Sequence, residues 1–206
     1  MLEFIFIIAL VVVVTAVFWL VLRNSSTKIS AQYQQLSEQL GLELNQPPAK
    51  MRGFLRPEPS LYGQYRGREV SISVPGKGLQ NTRQVETVLK VEVRGLRLNA
   101  QLTATGPLSG MRQRDSGGLP RWKSGDAAFD AAVDVRTDQG DILGDLLNNE
   151  RRAWLAMILS QSKGTLYLGK NKLVYARLGL VANEKARHEL EAAVELLCDL
   201  AETIEA

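Results

Sequence analysis

An uninterrupted apolar run from Phe4 to Leu22 (FIFIIALVVVVTAVFWLVL) constrains this chain more than any other feature, since it carries no charge and a single hydroxyl, Thr15. As a helix it would extend about 28 Å, close to the ~30 Å hydrocarbon core of a bilayer, with Trp19 where an interfacial aromatic belongs. A cleaved secretory signal needs a basic leading segment, a shorter apolar core and small residues at a cut site. Here the only charged side chain before the run is Glu3, and the run ends in Val-Leu-Arg-Asn. The segment therefore reads as a retained transmembrane anchor that meets the lipid bilayer through residues 4–22. Arg23 and Lys28 follow it. Basic residues beside a span stay on the cytoplasmic side, so the expected topology is single-pass, with the N-terminus outside and the rest in the cytoplasm.

Residues 24–206 suffice for one ordinary domain with a real core, and one domain is the expectation. The single cysteine, Cys198, has no intramolecular disulfide partner, so packing alone must hold the fold. The net charge of +3 is unevenly spread: residues 1–49 carry −1, residues 50–123 carry +9 and residues 124–206 carry −5. A basic middle raises the expectation of an anionic partner, lipid surface or nucleic acid. Aromatic residues make up only 6% of the chain and no nucleic-acid-binding module is recognisable, which argues against nucleic acid.

After the anchor, Asn24-Ser25-Ser26-Thr27 offers N-caps for a short amphipathic helix carrying Ile29, Tyr33, Leu36 and Leu40, closed by Gly41 and broken by Asn45-Gln46-Pro47-Pro48. From Leu61 the apolar period becomes two. Val70, Ile72 and Val74 share one strand face, and Val85, Thr87, Leu89, Val91 and Val93 another. At Gly95 the alternation slips to Leu96, Leu98, Ala100 and Leu102, which predicts a bulge or a tight reversal there. Residues 106–125, with five Gly, two Pro and four basic side chains, read as a long loop. Phe129, Ala131, Val133 and Val135 predict a further strand. Asp141 is placed to cap a helix whose apolar stripe breaks between Asn148 and Arg152, marking a kink or two shorter helices. Thr165–Leu168 and Leu173–Leu178 predict a hairpin through Gly169-Lys170-Asn171-Lys172, and Asn183 caps a last helix with Leu190, Ala193, Val194, Leu197, Ala201 and Ile204 on its core face. The order predicts an α+β fold: one N-terminal transmembrane helix, then a single domain with a mainly antiparallel sheet packed by two or three helices. The divisions are an anchor over 1–23, a juxtamembrane helix and linker over 24–49, and a soluble domain over 50–206.

Three stretches carry a resemblance: the helix ending in Gly41-Leu42-Glu43, the run Leu61-Tyr62-Gly63-Gln64-Tyr65-Arg66-Gly67-Arg68-Glu69-Val70, and Gly125-Asp126-Ala127-Ala128-Phe129-Asp130 leading into Val133 and Asp134. Together with the hairpin and closing helices they resemble a loosely related group of bacterial single-span membrane-anchored proteins with a domain of unknown function. The resemblance covers roughly residues 30–205. It implies the architecture, a bacterial source and an inner-membrane location, and it supplies no activity.

Catalytic chemistry finds little footing. Acyl transfer needs a nucleophile with a base beside it. His188 falls on the solvent side of its helix and Cys198 on the packed side, ~280° apart, so they do not pair locally. Asp126, Asp130, Asp134 and Asp138 would share one face of a strand, but neighbours four apart lie ~13 Å from each other, too far to share a cation, and a solvated face is expected. No phosphate-binding glycine motif occurs. No catalytic, cofactor or metal residue is therefore assigned. The leading candidate is the basic loop, where Arg112, Arg114, Arg121, Trp122 and Lys123 combine positive charge with an indole, as contact with an anionic surface requires. Against it stands a solvated loop whose Trp folds back on the core. The expected function is a non-enzymatic, membrane-tethered interaction domain for a protein partner or anionic head groups. The alternative is an enzyme or enzyme subunit acting on a membrane or envelope substrate.

Overall fold

A computed structural model of the chain describes residues 2–48, 57–76, 85–106 and 118–206. The anchor and the amphipathic segment form one unbroken helix, α1 (Leu2–Leu40). No new helix starts at the Ser/Thr cluster, contrary to the sequence expectation, because nothing there breaks the backbone ladder. Thr27 instead donates its hydroxyl to the Arg23 carbonyl one turn back, at 2.9 Å. Among the described residues this is the one helix long and apolar enough to cross a bilayer. Its first part exposes Phe6, Leu10, Val14, Val17 and Val21, whereas Ile29, Tyr33, Leu36 and Leu40 are buried against the domain. The Arg23 guanidinium sits over the Trp19 ring, 5.2 Å from its centre. Gly41, at φ +64°, ends the helix, and the Leu42 amide bonds back to the Ser37 carbonyl.

The chain turns at once into β1 (Glu43–Asn45), which pairs with β2 (Ser60–Tyr65). Residues 29–45 thus belong to the packed domain rather than to a linker. β3 (Arg68–Ser73) returns along β2 through Arg66 and Gly67, both at positive φ, as a two-residue hairpin turn requires. β4 (Glu86–Glu92) and β5 (Ala100–Ala104) follow, but they are not neighbours. The slip at Gly95 is therefore neither bulge nor tight reversal. It marks where the chain leaves the sheet and crosses beyond an intervening hairpin. That hairpin is β8 (Thr165–Gly169) and β9 (Lys172–Leu178), joined where predicted, with Lys170 and Asn171 at positive φ. With β6 (Arg121–Trp122) and β7 (Val133–Thr137), the nine strands among the described residues form one sheet in the order β1-β2-β3-β4-β9-β8-β5-β7-β6, and every ladder between them is antiparallel.

Residues 127–132 are helical (α2, Ala127–Ala132), where alternation predicted strand. The Asp126 side chain accepts from the Ala128 and Phe129 amides, and that cap starts a helix that the short apolar alternation conceals. The stripe after Gly140 resolves into two helices, α3 (Gly140–Leu146) and α4 (Asn149–Ser162), the second capped by Asn148. α5 (Glu184–Glu205) is capped by Asn183, as expected. The second half of α1, α4 and α5 cover the sheet face that carries Ile72, Leu89, Val91, Leu102, Val135 and Tyr175, and the core lies between.

The packing has a direction. Tyr33 lies beside Thr87 at the start of β4, whereas Leu42, just past the end of α1, packs against Gly63, whose partner Val70 faces Val91 near the end of β4. α1 therefore runs along the sheet in the direction of β4, and its apolar half leaves past the start of that strand. α5 runs the same way. Its Arg187 bonds Gln32 and Gln39 of α1, and its Glu205 accepts from the Arg94 amide just beyond β4. About 27 Å of helix separates those two points.

Candidate functional site

Of the five basic-loop candidates, Arg112 and Arg114 lie outside the described residues. The other three have intramolecular partners. Arg121 Nε is 2.6 Å from Asp134 Oδ1. Lys123 Nζ reaches the Asp130 carbonyl at 3.4 Å. The Trp122 indole lies over α3: a Cβ on Gly140 would sit 2.6 Å from its Cδ1, and one on Gly144 3.6 Å from its Cζ2. This tryptophan packs against the core, and the strand β6 that carries it forms one edge of the sheet.

The four aspartates do not share a strand face, because α2 interrupts it, and each has a structural task. Asp126 caps α2. Asp130 accepts from the Ser124 amide and hydroxyl at 2.9 and 3.0 Å. Asp134 meets Arg121 and Arg136. Asp138 accepts from both the amide and the side chain of Asn99, each at 2.7 Å, and those two bonds hold its carboxyl below the usual range. Among the described residues no group of three or more His, Cys, Asp or Glu side chains is placed to hold a metal ion. His188 is exposed and bonds Glu191. Cys198 is buried, which pushes its thiol up to about 11 and leaves little nucleophilic thiolate near neutrality.

A large hollow lies at the end of the molecule away from the exit of α1. It is a groove of about 760 Å³ between the crossover residues 94–98, α3 and the last turn of α5. Leu98 and Leu146 are buried in its floor, Leu96 and Ile204 are half-buried, and Ile142 is 44% exposed. Arg94, Arg97, Asp145 and Glu205 stand on the rim. Glu205 is committed to Arg68 and to the Arg94 amide, and those bonds lower its pKa. Among the described residues, neither the Arg94 nor the Arg97 guanidinium has a carboxylate within 4 Å, although the Arg94 charge acts at longer range on Glu205. A second hollow, about 680 Å³, adjoins the groove across Thr203 and is lined by Trp154, Leu196 and the acidic residues Glu150, Asp199 and Glu202. Sequence reasoning took Leu96 and Leu98 as strand residues. The signal that they belong elsewhere is their break in register with β4.

A polar seam joins α1 to the core. Arg177 of β9 and Glu189 of α5 form a nearly buried pair at 3.4 Å. The Tyr33 hydroxyl lies beside Thr87 and that of Tyr175 beside Ser162, yet among the described residues neither completes a hydrogen bond. Thr87 and Ser162 give their own protons to the Gly179 and Ile158 carbonyls. Arg177 Nε and Glu189 Oε1 likewise have no hydrogen-bond partner among the described residues. The sequence marked this seam only by an arginine at an inward position of β9, in parity with Leu173 and Tyr175.

The fold defines a class: an α+β domain of one antiparallel sheet backed by helices and preceded by a long apolar helix. No family model and no curated protein matches the chain. Its fold is similar to that in the crystal structure of the mycobacterial trehalose monomycolate transport factor A, TtfA, with a TM-score of 0.55 and 15% identity, over 84% of this chain and 93% of that one. At that identity the likeness is one of fold.

Proposed function

We propose that this protein is a single-pass, membrane-tethered, non-enzymatic interaction domain that presents its surface to a protein partner on the cytoplasmic face of a bacterial inner membrane. The observation that carries the reading is α1: apolar and exposed over its first turns, buried in the domain over its last, and unbroken between. From Leu22 to Ile29 the helix advances only about 10 Å, so the domain stands close to the bilayer surface. Arg23 and Lys28 favour the cytoplasmic side, and the resemblance to single-span bacterial proteins supports the source.

The lining of the groove supports binding over turnover, since buried and half-buried Leu96, Leu98, Leu146 and Ile204 are joined in it by the exposed charged residues Arg94, Arg97 and Asp145, and the lining holds no histidine or cysteine. The intramolecular partners of Arg121, Trp122 and Lys123 weigh against these residues as the contact to head groups. The test joins fractionation with topology. The full chain is expected to stay with membranes after an alkaline carbonate wash, and a C-terminal reporter active only in the cytoplasm is expected to work. Release by the wash would overturn the anchor, an external C-terminus would overturn the orientation, and turnover of an envelope substrate by the purified full chain would overturn the non-enzymatic role.

A further inference from the structure

We propose that the groove between residues 94–98, α3 and the end of α5 docks an amphipathic acidic segment of a water-soluble protein, its apolar side chains on the groove floor and its carboxylates on Arg94 and Arg97. The inference deepens the interaction reading above and rests on it.

Three observations select this occupant. The floor is apolar and includes Ile142, a large side chain left 44% exposed on α3. The rim holds two guanidinium groups with no carboxylate within 4 Å among the described residues, while its acid Glu205 is paired with Arg68 and bonded by the Arg94 amide. That leaves Asp145, on the α3 side, as the one rim acid without an ion pair among the described residues, so the carboxylates of a partner are directed to the opposite wall. Last, the groove lies at the Arg94 end of β4 and the Glu205 end of α5, whereas α1 leaves past the start of β4. The ~27 Å of α5 between its contact with α1 and its contact with Arg94 puts the groove beyond the reach of lipids that remain in the bilayer. A segment arriving from the aqueous phase has direct access. Helical segments that lay an apolar face in such a groove commonly read its charge through their flanking residues.

The experiment uses the full chain in phosphatidylcholine nanodiscs and two fluorescent amphipathic probe helices of equal length, one of Leu and Glu, the other of Leu and Lys. Binding is read by anisotropy with empty nanodiscs subtracted, and a benzophenone on each probe reports its site. The expected result is that the Glu probe binds about tenfold more tightly than the Lys probe at low salt, and crosslinks to residues 94–98 or 142–146. The double variant Arg94→Glu/Arg97→Glu should reverse that preference, a gain that only a folded protein can show. Ile142→Asp should weaken both probes. Equal binding of the two probes, a preference untouched by the double reversal, or crosslinks elsewhere would overturn the proposal. So would binding of oleate in the groove with neither probe bound, since the site would then belong to a lipid. Failure of the anchor reading would appear in the carbonate wash while leaving the probe preference intact, so the two can be told apart.

Discussion

At the scale of single residues, most side chains that looked available for chemistry are occupied by structure. Trp122 rests on the bare backbone of Gly140, where an added Cβ would come within 2.6 Å of the indole. Gly140→Ala is expected to lower stability by about 1–3 kcal/mol, the range for overpacking, and to shift Trp emission. Denaturant melts read at more than one wavelength check this. Asp138 and Glu205 carry depressed pKa values, the first through the side chain and amide of Asn99, the second through the Arg94 amide. For both groups the unfolded chain takes up protons first as pH falls. Their stabilisation is therefore complete above the ordinary carboxylate range near ~4 and declines as pH drops through and below it. Asp138→Asn should flatten the fall in melting temperature between neutral pH and pH ~3, and an unchanged slope would remove Asp138 from that account.

At the scale of elements, legibility followed how local the deciding force was. The β8–β9 hairpin and α5 were readable because a turn sequence and a cap stand beside an apolar pattern in the same few residues. α2 was misread as strand, since Phe129, Ala131 and Val133 alternate while the Asp126 cap that decides the matter is a single side chain. The crossover at Gly95 was illegible for a different reason: only pairing between residues far apart in sequence reveals that β9 and β8 intervene. The groove inherits that illegibility, because its floor joins three segments that no local pattern brings together. The seam of Arg177, Glu189, Tyr33 and Tyr175 shows why the boundary near residue 50 does not describe the packed unit. Tyr33 and Leu36 of α1 are fully buried among sheet and helix residues. A fragment of residues 24–206 should melt cooperatively, whereas one of residues 50–206, stripped of that helix, should lose its cooperative transition and bind a hydrophobic dye. Differential scanning calorimetry separates the two.

At the scale of the whole molecule, the apolar helix runs into the domain as one continuous helix, without a loop between them. Three glycines inserted between Ser25 and Ser26 should leave the melting of the domain unchanged while broadening the distances measured by pulsed electron resonance between a spin label near Trp19 and one on α5. An equally narrow distribution would show that α1 does not set the geometry. The unbroken α1 also transmits rotation. Each residue added or removed along a helix turns everything beyond it by ~100°, so the bearing of the domain about the axis of α1 is set by the number of residues between Trp19 and Tyr33. A neighbour that grips one side of the apolar half of α1 thereby chooses which flank of the sheet it meets. One residue added between Thr27 and Lys28 would turn that flank away while leaving Ile29, Tyr33 and Leu36 in their places in the core.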